Sequence, residues 1–233
     1  MTGQLGLAGF SAPRAGIDWS FQDAVHSVES SEWYTPPEIL DAGREAVGGE
    51  FDLDPASCEH ANRAVRAKQI YTLETPLEVR RPWRGRLWIN PPSPPRPWWD
   101  AAVRAWLEGA MVLEPFACAF LGYSIEVLQQ SQRWEQPMMR FPFCIPKSRV
   151  RFRCTAKDAH TQLQRTIAKR AERGKGEATR GELKTLAQLA GKPPTELVKG
   201  DAPTHASVIV GVGILPERFE RAFASIGEVS RGR

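Results

Sequence analysis

The sequence predicts an α/β fold, with a parallel or mixed sheet covered by helices on both faces. Two observations predict this fold class and its division into a domain and an insertion. Short apolar runs typical of buried strands alternate with segments of helical periodicity, and a polar, Lys/Arg-rich stretch over 155–200 interrupts the alternation. We therefore predict one domain over 31–154 and 201–233, a basic helical insertion over 155–200, and a poorly ordered lead-in over 1–30.

The first predicted helix begins near Thr35, where a capping signature precedes an amphipathic stretch. The Thr35 hydroxyl can cap the helix, Pro36 suits the first helical position, and Glu38 can reach back to the capping residue. Apolar residues then recur on one face until Gly48 and Gly49 end the helix.

The remaining elements follow from the same two periodicities. Strands are predicted at 51–55, 86–89, 110–113, 138–145 and 206–213. Helices are predicted at 59–68, 97–108, 124–133 and 216–226. In the helix over 97–108, Trp99, Val103 and Trp106 share one face, which predicts packing against the core.

Composition narrows the class of protein. A hydrophobic content of 42% with 25% charged residues is ordinary for a globular chain with a core. The longest apolar run is too short to span a bilayer, and the N-terminus does not resemble a secretory signal. Four scattered cysteines without metal-site spacing favour reduced thiols in a cytoplasmic protein and no metal. The net charge of +4 is compatible with a polyanionic partner but does not require one.

The most informative feature is Asn90-Pro91-Pro92, which directly follows a predicted buried strand. In open α/β sheets, ligands bind outside the carboxyl ends of the strands. The two prolines remove two backbone donors, so that the turn offers mainly hydrogen-bond acceptors. Such acceptors, aimed at the two N–H groups of a base's exocyclic amine, would favour a localised nitrogen lone pair. Taken alone, the tripeptide is also typical of an ordinary proline-rich turn.

Three ordered segments, 33–36, 51–57 and 87–92, resemble the phage-type DNA N6-adenine methyltransferase (Dam-like) family. The resemblance extends over about 32–153 and 203–229. It implies a Rossmann-like fold that uses S-adenosylmethionine to methylate the exocyclic amino group of adenine in DNA, in phage or bacterial cytoplasm. We expect no membrane partner, because the longest apolar run is too short to span a bilayer.

The resemblance also implies roles for individual residues. Three residues match the segment that borders the cofactor: Tyr34, Thr35 and Pro36. Four match the cofactor loop after the first strand: Asp54, Pro55, Ala56 and Ser57. Asp54 would face the methionine amino group of the cofactor. The Asn90 side-chain oxygen and the Pro91 carbonyl would hold the target amine, with Pro92 completing the catalytic motif.

The chain departs from the family pattern in two places. Ser93 stands where the family usually has an aromatic residue that stacks on the flipped base. Trp98 lies off the stripe formed by Trp99, and we predict that it substitutes for that aromatic residue. In addition, no G-x-G loop follows the first strand. Without the resemblance, Asp54 would be interpreted as a strand-end residue that caps the next helix.

The insertion over 155–200 carries ten basic and five acidic residues, a net charge of +5. Phosphate contacts from Lys and Arg give affinity for DNA that is independent of sequence. We expect DNA contacts from Arg149, Arg151, Lys169, Arg170, Arg173 and Lys175. The composition is equally typical of a solvated helical hairpin with no partner.

Two alternatives to adenine methylation stay open. The Asn-Pro-Pro motif serves the N4 amine of cytosine equally well. A non-catalytic DNA-binding protein on a decayed methyltransferase scaffold is favoured by Ser93 and by the missing glycine loop, whereas the retained Asn90 argues against it.

Overall fold

A computed structural model describes residues 34–72, 75, 83–92, 94–112, 114–122, 126–199 and 206–232. The predicted lead-in over 1–30 and Ser93 lie outside these residues. None of the described helices combines the length and apolar character needed to cross a bilayer.

The described chain contains nine strands and seven α-helices. The strands are β1 (Leu53–Asp54), β2 (Gln69–Ile70), β3 (Gly85–Ile89), β4 (Phe116–Gly122), β5 (Phe143–Pro146), β6 (Arg153–Thr155), β7 (Leu197–Lys199), β8 (Val208–Val212) and β9 (Gly227–Ser230). The helices are α1 (Pro37–Val47), α2 (Glu59–Val65), α3 (Arg96–Met111), α4 (Glu126–Gln130), α5 (Ala156–Glu172), α6 (Arg180–Ala190) and α7 (Pro216–Phe223).

The chain divides into two compact units. The first unit contains residues 37–150 and the described residues from 206 onward, and it holds a seven-stranded sheet in the order β2-β1-β3-β4-β8-β5-β9. Strands β2, β1, β3 and β4 are mutually parallel, whereas β8 is antiparallel to β4 and β5, and β9 to β5. The predicted α/β class with a mixed sheet is confirmed.

Helices cover both faces of this sheet. Successive residues of β3 point to opposite faces, and each face packs against a different helix. Leu87 and Ile89 belong to one core cluster with the tryptophans of α3. Trp88, between them, packs on Phe51, with ring centroids 5.8 Å apart, and lies against Gly43 of α1. Each face therefore buries its own apolar layer.

The predicted stripe on α3 packs as expected. Trp99 makes edge contacts with Phe120 of β4 and with Phe141, at centroid distances of 5.4 and 5.2 Å. Its indole N–H donates to the Gln136 carbonyl oxygen over 2.7 Å, so the buried polar atom is satisfied. Trp106 contacts the same Phe141 ring at 5.5 Å.

The prediction of a strand over 110–113 is wrong. Helix α3 continues to Met111, and the Val112 N–H closes it by donating to the carbonyls of Gly109 and Ala110. Met111 and Val112 are largely exposed, and the buried strand begins instead at Phe116. An apolar run directly after a helix does not distinguish a further helical turn from a new strand.

Several other boundaries also differ from the predictions. The first helix begins at Pro37 and not at Pro36. The strand predicted over 138–145 divides into a 3-10 turn at Met138–Arg140 and β5, because prolines at 137 and 142 interrupt it. The helix predicted over 124–133 is α4 followed by a 3-10 turn at Ser131–Arg133.

The second unit comprises 34–36 and the described residues from 151 to 199. Antiparallel strands β6 and β7 carry a hairpin of α5 and α6, in the region predicted as a basic helical insertion. Tyr34 pairs with Arg153 through reciprocal backbone hydrogen bonds of 2.7 and 2.9 Å. The structure thus groups 34–36 with this unit, although the sequence predicts them in the first domain.

A cluster of charged residues fixes β1 against β3. The Asp52 carboxylate accepts from the backbone N–H and the guanidinium of Arg86 at 2.9–3.1 Å, and from the Lys68 ammonium at 2.8 Å. Gly85, at φ +78°, leaves the space that this carboxylate occupies, because a Cβ there would lie 2.7 Å from Asp52 Oδ2. The hydrogen bonds from Arg86 hold the pKa of Asp52 well below its usual range.

We predict that Asp52→Asn lowers the free energy of unfolding by about 2 kcal/mol at pH 7, since it removes a charge-assisted network. Because the pKa of Asp52 is lower in the folded than in the unfolded protein, its carboxylate stabilises the fold at pH values above about 4, the ordinary carboxyl pKa. This stabilisation is lost as the pH falls further below that value. The difference from wild type, measured by urea unfolding, should therefore disappear at low pH. Glu108→Gln, which changes an exposed carboxylate on α3, is the control and should leave stability unchanged. A constant difference across pH would contradict the assignment.

Candidate active site at the carboxyl edge of the parallel strands

The strand order reverses between β1 and β3. From β1 the chain passes to β2 on one side, and it then returns to β3 on the other side of β1. In open α/β sheets the ligand crevice forms at such a reversal, outside the carboxyl ends of the strands. Asp54 ends β1 and Asn90 follows β3, so both predicted segments lie at this reversal.

The register brings the two segments close together. Leu53 pairs with Leu87, so Asn90 lies two residues further along β3 than the partner position of Asp54. With standard strand spacing and rise, the Cα atoms of Asp54 and Asn90 are about 8 Å apart. A single small molecule can therefore contact both.

The loop from Asp54 to Ser57 is held by its own hydrogen bonds. The Ala56 N–H donates to Asp54 Oδ1 over 3.1 Å. The Tyr71 N–H donates to the Asp54 carbonyl over 3.0 Å, and the Ser57 N–H donates to the Tyr71 carbonyl over 3.1 Å. These contacts tie the loop to the chain beyond β2 and fix the Asp54 side chain. The cap of the next helix is Cys58, whose Sγ accepts from the Ala61 N–H, so the capping interpretation of Asp54 is wrong.

Asp54 is a buried acid, with 3% of its surface exposed. Burial raises its pKa to about 7, against the opposing effect of hydrogen bonds from Ala56 and Ser57. Across the described ranges, no cationic side chain forms a salt bridge with it. A ligand that places a positive charge beside this carboxyl group would ionise it and bind to it.

The Asn90-Pro91-Pro92 turn emerges from the most buried part of the sheet. Leu87, Trp88 and Ile89 have no exposed surface, Pro91 is buried, and Asn90 is half-buried. Because neither proline has a backbone N–H, the backbone of this turn presents carbonyl oxygens and few donors. The turn is thus a set of acceptors that begins at a rigid strand end.

The prediction that Trp98 stacks on a flipped base is wrong for this structure. The Trp98 side chain has no exposed surface, and its ring stacks on Trp83 at a centroid distance of 6.2 Å. Both faces of α3 at this end are covered, because Trp99 packs on β4 while Trp98 packs on the segment before β3. Helical spacing alone did not reveal the second contact, since Trp83 lies 15 residues earlier in the sequence.

Tyr34, Thr35 and Pro36 are buried, and they belong to the second unit. Tyr34 is held there by its backbone pairing with Arg153. The first unit by itself therefore brings together two of the three predicted segments, the Asp54 loop and the Asn90 turn. The role of the third segment beside a cofactor stays a prediction.

The predicted DNA-binding residues are exposed with one exception. Arg149, Arg151, Lys169, Arg173 and Lys175 have exposed side chains. Arg170 does not fit the prediction, because its guanidinium is bidentate to Glu182, at 2.8 and 2.7 Å, and also donates to the Glu177 carbonyl. The same contact lowers the pKa of Glu182 to about 2. Arg170 therefore joins α5 to α6 and is not available to phosphate.

Searches against protein-family models, curated proteins and solved structures returned no match to this chain. Within the described residues, no group of three or more His, Cys, Asp or Glu side chains could hold a metal ion.

We predict that Asp54→Asn changes how stability depends on pH. The pKa of Asp54 is about 7 in the folded protein and near 4 in the unfolded chain, so the folded protein is most stable below pH 4, where the group is protonated in both states. This stability is lost as the pH rises towards 7, because the unfolded chain ionises first. Between pH 4 and 7, wild type should lose up to about 4 kcal/mol relative to Asp54→Asn, at 1.36 kcal/mol per pKa unit. Denaturant unfolding of both proteins at several pH values measures this. Parallel curves for the two proteins would show that Asp54 titrates normally.

We also predict that Trp98→Ala lowers the free energy of unfolding by about 3–5 kcal/mol, since it leaves a cavity in the core. Met111→Ala, at an exposed position on the same helix, should change stability little. Thermal and chemical denaturation measure both variants. A Trp98→Ala variant with wild-type stability but weaker binding of a flipped base would restore the stacking interpretation.

Proposed function

We propose that this protein is an S-adenosylmethionine-dependent methyltransferase that acts on the exocyclic N6 amine of adenine in DNA. The observation that carries the proposal is the position of two segments at the strand-order reversal. The buried Asp54 carboxyl group ends β1, and the acceptor-rich Asn90-Pro91-Pro92 turn follows the neighbouring β3.

The Asp54 loop fits the charged end of the cofactor. S-adenosylmethionine supplies an activated methyl group on a sulfonium, and its methionine part carries an ammonium. A buried carboxyl group without a described counter-ion is suited to that ammonium, and burial strengthens the attraction between the charges. Pro55, Ala56 and Ser57 would complete the contact, with the small Ala56 permitting close approach of backbone to ligand.

The Asn90 turn fits the other substrate. The Asn90 side-chain oxygen and the Pro91 carbonyl would accept the two N–H groups of the target amine. This arrangement would favour a pyramidal amine nitrogen, because the acceptors are already fixed before the reaction. Attack of that nitrogen would form the N–C bond as the S–C bond of the sulfonium breaks, with S-adenosylhomocysteine as the leaving group and one amine proton released to solvent. The cytosine N4 amine presents the same two N–H groups, so the identity of the base is decided by product analysis.

A second candidate is a DNA-binding protein without methyltransferase activity. The burial of Trp98 favours it, because the residue expected to replace the missing aromatic does not reach a flipped base. The two candidates differ in cofactor binding, which only the methyltransferase requires.

The test is methyl transfer from labelled S-adenosylmethionine to unmethylated genomic DNA, followed by digestion and identification of the labelled base. We expect N6-methyladenine. Asn90→Ala should lower the rate at least about 100-fold, the effect of losing a preorganised polar contact. Its cofactor affinity, measured by calorimetry, should remain near wild type because Asn90 acts on the amine. Pro94→Ala, at an exposed position just beyond the turn, is the matched control and should transfer normally.

Each other outcome has a definite meaning. Label in N4-methylcytosine retains the mechanism and changes the substrate. An Asn90→Ala variant as active as wild type would refute the catalytic assignment. Failure to bind the cofactor, with DNA binding intact, would select the non-catalytic candidate.

A further inference from the structure

The burial of Trp98 leaves the proposed base site without its predicted stacking partner. Among the described residues, two aromatic side chains keep exposed surface, Trp134 and Phe143, and the other described aromatic residues are buried. A residue that stacks on a nucleobase must present a ring face that the base can reach. Within the described part of the chain, Trp134 and Phe143 are therefore the two side chains that meet this condition.

Trp134 lies at the carboxyl edge of the parallel strands. Because β3 and β4 are parallel, α3 begins at this edge and returns the chain to the opposite edge. The Trp134 ring lies against the first turn of α3, with its centroid 5.9 Å from the guanidinium carbon of Arg96. Two residues further on, the Gln136 carbonyl accepts from the Trp99 indole over 2.7 Å. This segment is thus held beside the start of the helix that follows the Asn90 turn.

Phe143 lies further from this edge. Strands β4 and β5 are both antiparallel to β8, so β5 runs in the same direction as β4. Phe143 is the first residue of β5 and Pro146 the last, which leaves the Phe143 ring about 10 Å before the carboxyl end of the strand. Of the two partly exposed aromatic residues, Trp134 is therefore the one placed to meet a base at the Asn90 turn.

The Trp134 ring rests on the same apolar cluster as the proposed cofactor loop. This cluster contains Leu87 and Ile89, the strand residues that lead to Asn90. Trp134 and Ala56 are both partly buried and both pack against it. An aromatic ring that is already held in position loses little freedom when a base stacks on it.

A flat cation covers the Trp134 ring in the absence of a base. The Arg96 guanidinium lies over the ring as a cation–π contact. Arg96 also pairs with Asp100 over 3.5 Å, and both side chains are largely exposed, so this ion pair contributes little. Nucleobases stack on the same aromatic surfaces as guanidinium groups. A base can therefore displace Arg96 from the ring.

We propose that Trp134 is the residue on which the flipped base stacks, in place of the aromatic residue that the family pattern has at Ser93. The Asn90 turn would accept the N–H groups at the edge of the base, and the indole would cover its face. Trp134 is thus a binding residue that holds the base while the turn acts on its amine. This inference rests on the proposed function for the entry of a base into the site, and it adds the residue that receives the ring.

The experiment measures binding of the full chain to two end-labelled single strands by fluorescence anisotropy, without cofactor. One probe is an oligodeoxyadenylate, and the other is an abasic strand with the same number of phosphates. Trp134→Leu keeps an apolar contact with the cluster and removes the stacking surface. It should weaken binding to the oligodeoxyadenylate about 5- to 150-fold and leave binding to the abasic strand unchanged. Trp134→Phe should retain most of the affinity, because it keeps a ring.

Two further variants serve as controls. Phe143→Leu makes the same kind of change at the other partly exposed ring, and it should leave both affinities near wild type. Arg96→Gln removes the guanidinium and keeps the Trp134 ring, so the preference for the strand that carries bases should persist. Circular dichroism melting shows whether each variant remains folded. The comparison of the two probes with wild type needs no variant, and equal affinity for both would exclude the proposal.

Other results would also overturn it. Equal weakening of both probes by Trp134→Leu would indicate a structural role for the side chain. An equal effect of Phe143→Leu, or loss of the preference in Arg96→Gln, would assign the stacking to another residue. In methyl transfer to genomic DNA, Trp134→Leu should raise the KM for DNA and leave cofactor affinity unchanged. A preference that depends on Trp134, without methyl transfer, would refute only the proposed function. Transfer by Trp134→Leu with the wild-type KM would refute only this inference.

Discussion

The contact between Asp52 and Arg86 is the constraint on which the candidate site depends. It joins β1 to β3 directly across the strand-order reversal, where the two parallel strands share few residue pairs. Asp52 binds both the backbone and the guanidinium of Arg86, so it fixes register as well as proximity. Two residues beyond Asp52, the chain reaches Asp54, and four beyond Arg86 it reaches Asn90. The relative position of the acid and the acceptor turn therefore follows from a contact outside the site.

The sequence predicts those helices and strands whose spacing and composition within a single segment identify them. The helix bearing Trp99 and Trp106, the apolar strand before Asn90 and the basic helical insertion all follow from spacing and composition. The strand predicted over 110–113 failed because an apolar run after a helix has no local feature that separates the two structures. The observed strand begins only after Pro115.

The residues of the candidate site could be predicted from the sequence, but their burial and their pKa values could not. The order of motifs placed Asp54 and Asn90 at strand ends, but burial and neighbouring charge are tertiary properties. The raised pKa of Asp54 depends on what surrounds it in space. The same holds for Trp98, whose partner Trp83 is remote in sequence, and for Arg170, whose partner Glu182 lies on the next helix. In each case the side chain's availability was decided by a contact that no pattern encodes.

Gly85 has a consequence for how this chain tolerates change in length. Its positive φ and the carboxylate above it admit no side chain, so β3 begins at a fixed point relative to Asp52. Insertions or deletions between residues 72 and 83 would be absorbed ahead of that point and would not shift the turn at Asn90. The distance between the Asp54 loop and the Asn90 turn therefore does not depend on the length of the connection between them. Homologous chains could vary that connection widely and still present the same pair of residues.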